Sequence, residues 1–343
     1  MTKLNVAVLG ATGAVGQELL RVLGERDFPL GEVRLLASAR SSGRMVTALG
    51  RDLLVEEAKD TSFAGIDIAF FSAGGSVSQA LAPAAVKAGA VVIDNTSAFR
   101  LMAGVPLVVP EVNAEAALTH KGIIANPNCS TILMAVVLKP IHDCVGIQRV
   151  VVSTYQAVSG AGFAGMEELQ SQVNDYAAGR PSTAKVLPVP DLERHYAIAF
   201  NAIPQIDVFD DEAYTKEEWK MVRETHKIFS DSSLDITATA VRLPILRSHC
   251  ESVNIQTKSS LTADECRRLL MRSPGVEVLD DPQTQRYPMP LDAAGTDPVW
   301  VGRIRRDLTV DHGLNLWIVG DQIRKGAALN AVQIAEYLVP HLQ

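Results

Sequence analysis

A β-branched apolar run, Leu4 to Leu9, passes directly into Gly10-Ala-Thr-Gly13-Ala-Val-Gly16, and residues Ala14 to Leu23 then take helical spacing. No other feature restricts the chain so tightly. A strand that enters a glycine-rich turn and leaves as a helix presents free backbone amides at the helix N-terminus, with no side chain to hold an anion away. A dinucleotide pyrophosphate needs that arrangement, so Gly10, Thr12, Gly13, Ala14 and Val15 are candidate cofactor contacts. The bland alternative is a mere tight turn; the strand before it and the helix after it favour the dinucleotide.

The pattern continues with strand candidates at Glu32–Ala37, Ile66–Phe71 and Ala90–Ile93, and with a helix candidate at Ser76–Ala88. Strands alternating with helices imply βαβ crossovers and a doubly wound, mostly parallel sheet. Beyond about residue 150 the rhythm changes. Val150–Ser153, Asp235–Val241, Val253–Thr257, Val299–Arg303 and Leu314–Val319 read as strands, several alternating apolar with polar residues. That alternation marks a sheet with one face covered and the other solvated or packed on a partner. With helix patterns at Lys216–Ser230 and Thr262–Arg272, the second part reads as α+β. A closing helix pattern, Arg324–Leu342, is placed with the first part. The expected domains are 1–128 plus 325–343, and 129–324.

Bulk properties exclude several function classes. A net charge of −7 opposes electrostatic binding of nucleic acid. The apolar run Ile132–Leu138 stops at Lys139-Pro140, far short of the roughly 20 residues a membrane span needs. No leader pattern precedes the first strand. The cysteines at 129, 144, 250 and 266 lack CxxC spacing, which points to free thiols in a reducing, cytoplasmic compartment and to no metal site.

The end of the second strand bears on cofactor choice. An NAD site places a carboxylate there for the ribose 2′-hydroxyl. Here the segment reads Ser38-Ala39-Arg40-Ser41-Ser42-Gly43-Arg44. Arginines and hydroxyls suit a 2′-phosphate instead, so the expected cofactor is NADP, with Ser38, Arg40 and Ser41 as contacts. Either arginine is also an ordinary solvated charge on the plainer reading.

Asn126-Pro127-Asn128-Cys129-Ser130-Thr131 runs into Ile132–Leu138. Turn formers followed by a buried helix put Cys129 at a helix N-terminus, where free amides and the macrodipole favour thiolate and can stabilise an oxyanion. Cys129 is the candidate nucleophile. Cys144, Cys250 and Cys266 are expected to be buried packing residues.

Here the chain resembles a known family. NPNCST, GATGAVG, FSAGG at 71–75, DNTSAFR at 94–100, YQAVSGAG at 155–162, KEEWKMVRET at 216–225, VRLPILRSH at 241–249 and the closing ALNAVQIAEYL are similar, in order, to the aspartate-semialdehyde dehydrogenases. The resemblance spans essentially the whole chain. It implies a Rossmann-type α/β domain with a second α+β domain of the glyceraldehyde-3-phosphate dehydrogenase-like C-terminal type, assembled as a homodimer. It further implies NADP-dependent reductive dephosphorylation of aspartyl phosphate to aspartate semialdehyde, in lysine, methionine, threonine and diaminopimelate biosynthesis.

Residue by residue, the resemblance makes Cys129 the nucleophile, His249 the acid/base and Gln156 the group that orients the acyl carbonyl. Arg242 would hold the substrate carboxylate and Glu217 its ammonium, with Glu218 as an alternative; Arg100, Asn128 and Lys220 would contact phosphate. Cofactor contacts would be Ser72, Ala73, Gly74, Asn95, Ser159, Gly160, Gly162 and Asn330. Without the resemblance, Glu217 and Lys220 read as an i, i+3 pair on an exposed helix face. Three rivals remain: an N-acetylglutamyl-phosphate reductase, a glyceraldehyde-3-phosphate dehydrogenase, and a non-catalytic NADP or redox sensor.

Overall fold

The computed structural model describes residues 3–342; Met1, Thr2 and Gln343, at the ends of the expected first domain, lie outside the described residues. The chain divides into two compact units, Met1–Asn128 with Gly326–Gln343, and Cys129–Lys325.

In the first unit the strands are β1 (Leu4–Leu9), β2 (Leu30–Ala37), β3 (Met45–Ala48), β4 (Arg51–Glu57), β5 (Ile68–Phe71), β6 (Val91–Asp94) and β7 (Ile123–Ala125). Among the described residues they form a seven-stranded sheet of order β3-β4-β2-β1-β5-β6-β7. Every pairing is parallel except β3 with β4. Val6, Ala7 and Val8 are all inaccessible to solvent, as a parallel strand covered on both faces requires. Leu19, Leu20, Val22 and Leu23 of the helix Ala14–Glu25 join Val6, Val8, Ile68 and Phe70 in one core. The helix Leu329–Leu338 adds Val332, Ile334 and Leu338 to that core. Strand order reverses at β1, with β2 on one side and β5 on the other, and this opens a crevice at the carboxyl ends of β1 and β5.

The second unit carries β8 (Ile147–Gln156), β9 (Asp235–Arg242), β10 (His249–Thr257), β11 (Val276–Val278), β12 (Val299–Arg306) and β13 (Gly313–Gly320). They form, among the described residues, a six-stranded mixed sheet of order β11-β12-β13-β10-β8-β9. Along β8, Val150, Val152, Thr154 and Gln156 are buried while Val151, Ser153 and Tyr155 are half-exposed. The helix Cys129–Val145, buried from Ser130 through Leu138, packs on β8, β10, β12 and β13. On the opposite face Cys250, Val319 and Ala293 pack with the half-buried Tyr155, Trp300 and Trp317.

Several elements depart from the sequence reading. The β3–β4 hairpin was not expected: its strands are largely exposed, and the short apolar run Leu53-Leu54-Val55 is flanked by Arg51 and Asp52 on one side and Glu56 and Glu57 on the other. β7 is three residues long, below the reach of periodicity. The closing segment is not one helix. A π-helical turn Arg324–Ala328 precedes the α-helix, and a short 3-10 turn Val339–His341 containing Pro340 follows it. No helix among the described residues is long and apolar enough to cross a membrane.

Candidate active site

The first unit supplies a groove of about 540 Å³ at the crevice between β1 and β5. Gly10 turns the chain out of β1 with φ 90°, a conformation that favours glycine. A Cβ there would also lie 2.8 Å from the Ser72 carbonyl oxygen. Gly10, Thr12, Gly13, Ser38, Arg40, Ser41, Ser72 and Ala73 all line this groove. Glu57, Ala58, Val77 and Leu81 line it too, and none of these four was expected from sequence. Ala14 and Val15 begin the helix beyond the turn, and Gly74 precedes the helix Gly75–Lys87. The residues fit a dinucleotide: a bare backbone floor, a helix N-terminus, and hydroxyl and guanidinium donors near the end of β2.

Asn95 and Asn330 stand elsewhere in this unit, in an amide network. Asn126 Nδ2 donates to Asn95 Oδ1 at 2.8 Å, and Asn330 Nδ2 donates to Asn126 Oδ1 at 2.7 Å and to the Val108 carbonyl at 2.9 Å. Asn330 is completely buried. Arg100 is buried too; its Nε donates to the Asn126 carbonyl at 2.9 Å and its Nη2 to the Asn95 carbonyl at 2.8 Å. Asn128, also buried, ends the first segment of this unit.

The second unit opens with Cys129, the first residue of its long buried helix. Gly320, at the end of β13, lets that helix lie close: a Cβ there would meet Leu133 Cδ2 at 2.5 Å. Four other candidates gather on the same face of the sheet. Gln156 ends β8, Arg242 ends β9 and His249 begins β10, while Glu217 stands in the first turn of the helix Lys216–Phe229. Gln156 links them. Its Nε2 donates to Ser130 Oγ at 3.0 Å and to Glu217 Oε1 at 3.2 Å, and its Oε1 accepts from Arg242 Nη1 at 3.4 Å. Arg242 Nη1 also donates to the Ala157 carbonyl at 2.7 Å. Lys220 Nζ bonds Glu217 Oε2 at 3.0 Å and Asp207 Oδ2 at 3.2 Å. Glu217 is buried rather than on an exposed helix face.

Glu218 is committed otherwise. Its Oε2 accepts from the Thr215 amide at 2.6 Å and its Oε1 from the Ala240 amide at 2.9 Å, so it caps the helix and ties it to β9.

Electrostatics follow from burial. Arg242 is drawn below the usual guanidinium range by desolvation, opposed by Glu217 and then Cys129. His249 is pushed down to about 3, first by desolvation and then by Arg242, with Glu217 opposing. Its Nδ1 accepts from the Ala157 amide at 3.0 Å, so a neutral ring carries its proton on Nε2.

Gln322 was missed from sequence, although it lies just ahead of the closing block. Its Oε1 accepts from the Ser248 amide at 2.8 Å and its Nε2 donates to Ser159 Oγ. It thereby ties the residue before His249 to the turn Val158–Ala161, which holds Ser159 and Gly160. Gly162 follows that turn with φ 73°.

Cys250 and Cys266 are buried, each pushed up to about 12 by desolvation. Cys144 corrects the expectation of a packing thiol: it is exposed, in the last turn of a helix whose last buried residue is Ile141.

Comparison with known proteins agrees with this architecture. A semialdehyde dehydrogenase NAD binding domain model matches residues 5–120, and a semialdehyde dehydrogenase dimerisation domain model matches residues 138–325. Fold and site therefore define a dinucleotide-binding semialdehyde dehydrogenase. Aspartate-semialdehyde dehydrogenase of Bacillus subtilis (strain 168) is 54% identical over 336 residues, covering 98% of this chain and 97% of its own. That of Aquifex aeolicus (strain VF5) is 53% identical over 338 residues, covering 98% of each. The crystal structure of aspartate semialdehyde dehydrogenase II from Vibrio cholerae, complexed with ASA, superposes with a TM-score of 0.94 at 48% identity, covering 99% of both chains. The chain belongs to the aspartate-semialdehyde dehydrogenase family. It is an oxidoreductase of amino-acid biosynthesis with a nicotinamide dinucleotide cofactor.

Proposed function

We propose that the chain catalyses NADP-dependent reductive dephosphorylation of L-aspartyl 4-phosphate to L-aspartate 4-semialdehyde through a thioester on Cys129. One observation carries the reading: Gln156, Glu217, Arg242 and His249 converge in one buried cluster, with Cys129 within electrostatic reach of Arg242. In the forward direction the Cys129 thiolate attacks the acyl carbonyl, and the carbon–oxygen bond to phosphate breaks as the thioester forms. Bound NADPH supplies the hydride that reduces this thioester. The resulting thiohemiacetal expels the Cys129 sulfur and leaves the aldehyde.

Each charge on the substrate has a counterpart. Arg242 takes the α-carboxylate, where a planar guanidinium suits a bidentate partner, and Glu217 takes the ammonium. The commitment of both Glu218 oxygens to backbone amides supports Glu217 for this task. Lys220, Arg100 and Asn128 are assigned to phosphate, and Gln156 to the acyl oxygen.

His249 acts from its neutral form. With Nδ1 accepting from Ala157, its Nε2–H serves as donor to the carbonyl oxygen as charge develops there. Service as a base on the thiol requires the ring to give up the Ala157 bond first.

In the first unit, Ser38, Arg40 and Ser41 favour the 2′-phosphate of NADP, and Gly10, Thr12, Gly13, Ser72 and Ala73 line the remainder of the groove. Ala14 and Val15 contribute amides at the helix start. Gly74, Asn95, Ser159, Gly162 and Asn330 are retained as further cofactor contacts. The apolar face bearing Tyr155, Trp300 and Trp317 is assigned to a homodimer contact, in line with the dimerisation-domain match. A cytoplasmic setting suits the four free thiols.

The test adds aspartate semialdehyde, phosphate and NADP to the pure protein and to Cys129→Ala while NADPH absorbance is followed. Phosphate-dependent NADPH formation that disappears in the variant supports the proposal. Turnover of N-acetylglutamate semialdehyde instead overturns the substrate, and turnover by the Cys129→Ala protein overturns the thioester.

A further inference from the structure

We infer that Gly160 is a positioning residue for substrate recognition: its bare Cα is the surface against which the Arg242 guanidinium and the His249 ring are seated. The inference rests on the proposed role of Arg242 as partner of the substrate carboxylate, and it gives Gly160 a task distinct from contact with the cofactor.

Two glycines, Gly160 within the turn Val158–Ala161 and Gly162 just after it, are required for different reasons. Gly162 has φ 73°, and a Cβ there would meet nothing within 4 Å among the described residues. Its need is conformational. Gly160 is not among the residues with positive φ, so its backbone would accept alanine. Its need is space. A Cβ at Gly160 would lie 2.6 Å from Arg242 Nη1 and 3.4 Å from both Cε1 and Nε2 of His249.

The end of an arginine ordinarily moves aside at little cost, but this one is held. Arg242 is 4% exposed, and the same Nη1 donates to the Ala157 carbonyl at 2.7 Å and to Gln156 Oε1 at 3.4 Å. Relief of the contact displaces the guanidinium from Ala157, and with it the geometry of Gln156. Ala157 is also the residue whose amide orients His249. One added methyl therefore disturbs the groups assigned to the carboxylate, the acyl oxygen and the proton together. A shift of roughly 1 Å in such a group is enough to cost on the order of a hundredfold in turnover.

The experiment compares Gly160→Ala, Arg242→Lys and the double variant of the full chain. It reads KM for aspartate semialdehyde, kcat, nucleotide Kd by titration, and thermal stability. Gly160→Ala is expected to raise KM for the semialdehyde about tenfold or more while nucleotide Kd stays within about twofold. In the Arg242→Lys background, where Nη1 is gone, the same substitution is expected to add little. A fall in nucleotide affinity with KM for the semialdehyde unchanged overturns the inference, as does an equal KM penalty in both backgrounds. If Gly160→Ala alone fails to fold, recovery of stability in the double variant supports the inference, and its absence overturns it. Should Arg242→Lys by itself leave KM for the semialdehyde unchanged, the carboxylate assignment fails and takes this inference with it. A failure confined to Gly160 leaves that assignment standing.

Discussion

The amide of Ala157 donates to Nδ1 of His249 at 3.0 Å, inside a pocket where the imidazole is completely buried. The bond is possible only while Nδ1 is unprotonated, and burial followed by Arg242 holds the ring down to about 3, against a usual 6.5. Between these values the unfolded chain binds a proton that the folded chain refuses. Stability therefore declines as pH falls from about 7 toward 3, and above the unfolded value this contribution is constant. A His249→Gln variant lacks the titration, so its thermal midpoint is expected to fall less steeply with acid. The divergence should reach a few kcal/mol at about pH 4. Parallel midpoint–pH curves for the two proteins would rule the argument out.

Glu251 titrates in the opposite sense. It lies on β10 two residues beyond His249, is completely buried, and neither carboxylate oxygen has a hydrogen-bond partner among the described residues. Desolvation raises it well above the usual carboxylate range. The folded chain keeps a proton that the unfolded chain releases, so this group's contribution is complete below the unfolded value and is lost as pH rises toward the folded one. Glu251→Gln is neutral at every pH. The stability of the variant relative to the parent is expected to increase from about pH 5 to about pH 8, by about 1 kcal/mol or more. Urea midpoints at the two pH values measure it; a constant difference would mean that Glu251 is ionised in the fold.

How much of this was legible depends on where the physics is local. The strand–glycine–helix start is local: apolar runs and glycines dictate it, and the helix begins at Ala14 as its spacing predicts. Glu217 and Glu218 are neighbours in the first turn of one helix, and apolar periodicity does not separate them. The Thr215-x-x-Glu218 pattern of a capping box did carry the distinction, because a carboxylate closing that box is not free to face a substrate. Other parts were not legible. Glu57 reaches the cofactor groove because β4 pairs with β2 so that Ala37 faces Glu57, a register that no single segment reveals. The Gln322 bridge joins residues more than seventy and more than a hundred and sixty positions away, and it depends on the packing of three separate segments.

Arg40 tests the cofactor assignment. It lines the groove beside Ser38 and Ser41 and is exposed, so a substitution there costs little stability. Arg40→Asp replaces a cation suited to a 2′-phosphate by an anion that repels it and that can accept from a ribose hydroxyl. The ratio of kcat/KM for NADP over NAD is expected to fall by at least tenfold, about 1.4 kcal/mol. An unchanged ratio would place the 2′-phosphate elsewhere.

The last glycine of the opening turn distinguishes packing from backbone conformation. Gly16 lies within the helix Ala14–Glu25, and a Cβ there would be 2.8 Å from Ala11 Cα and closer still to the Gly10 carbonyl oxygen. Both are backbone atoms of the turn that lines the groove, and neither yields without distorting it. Gly13 is different: a Cβ there would lie 3.4 Å from the Gly10 oxygen, close to ordinary contact. Gly16→Ala is expected to cost about 1–3 kcal/mol as an overpacked site and to weaken nucleotide binding as the turn is pushed out of place. Gly13→Ala should be milder in stability. Urea unfolding and nucleotide titration on the two variants separate these effects, because a turn that tolerates Gly16→Ala as readily as Gly13→Ala would mean the helix does not seat against Gly10.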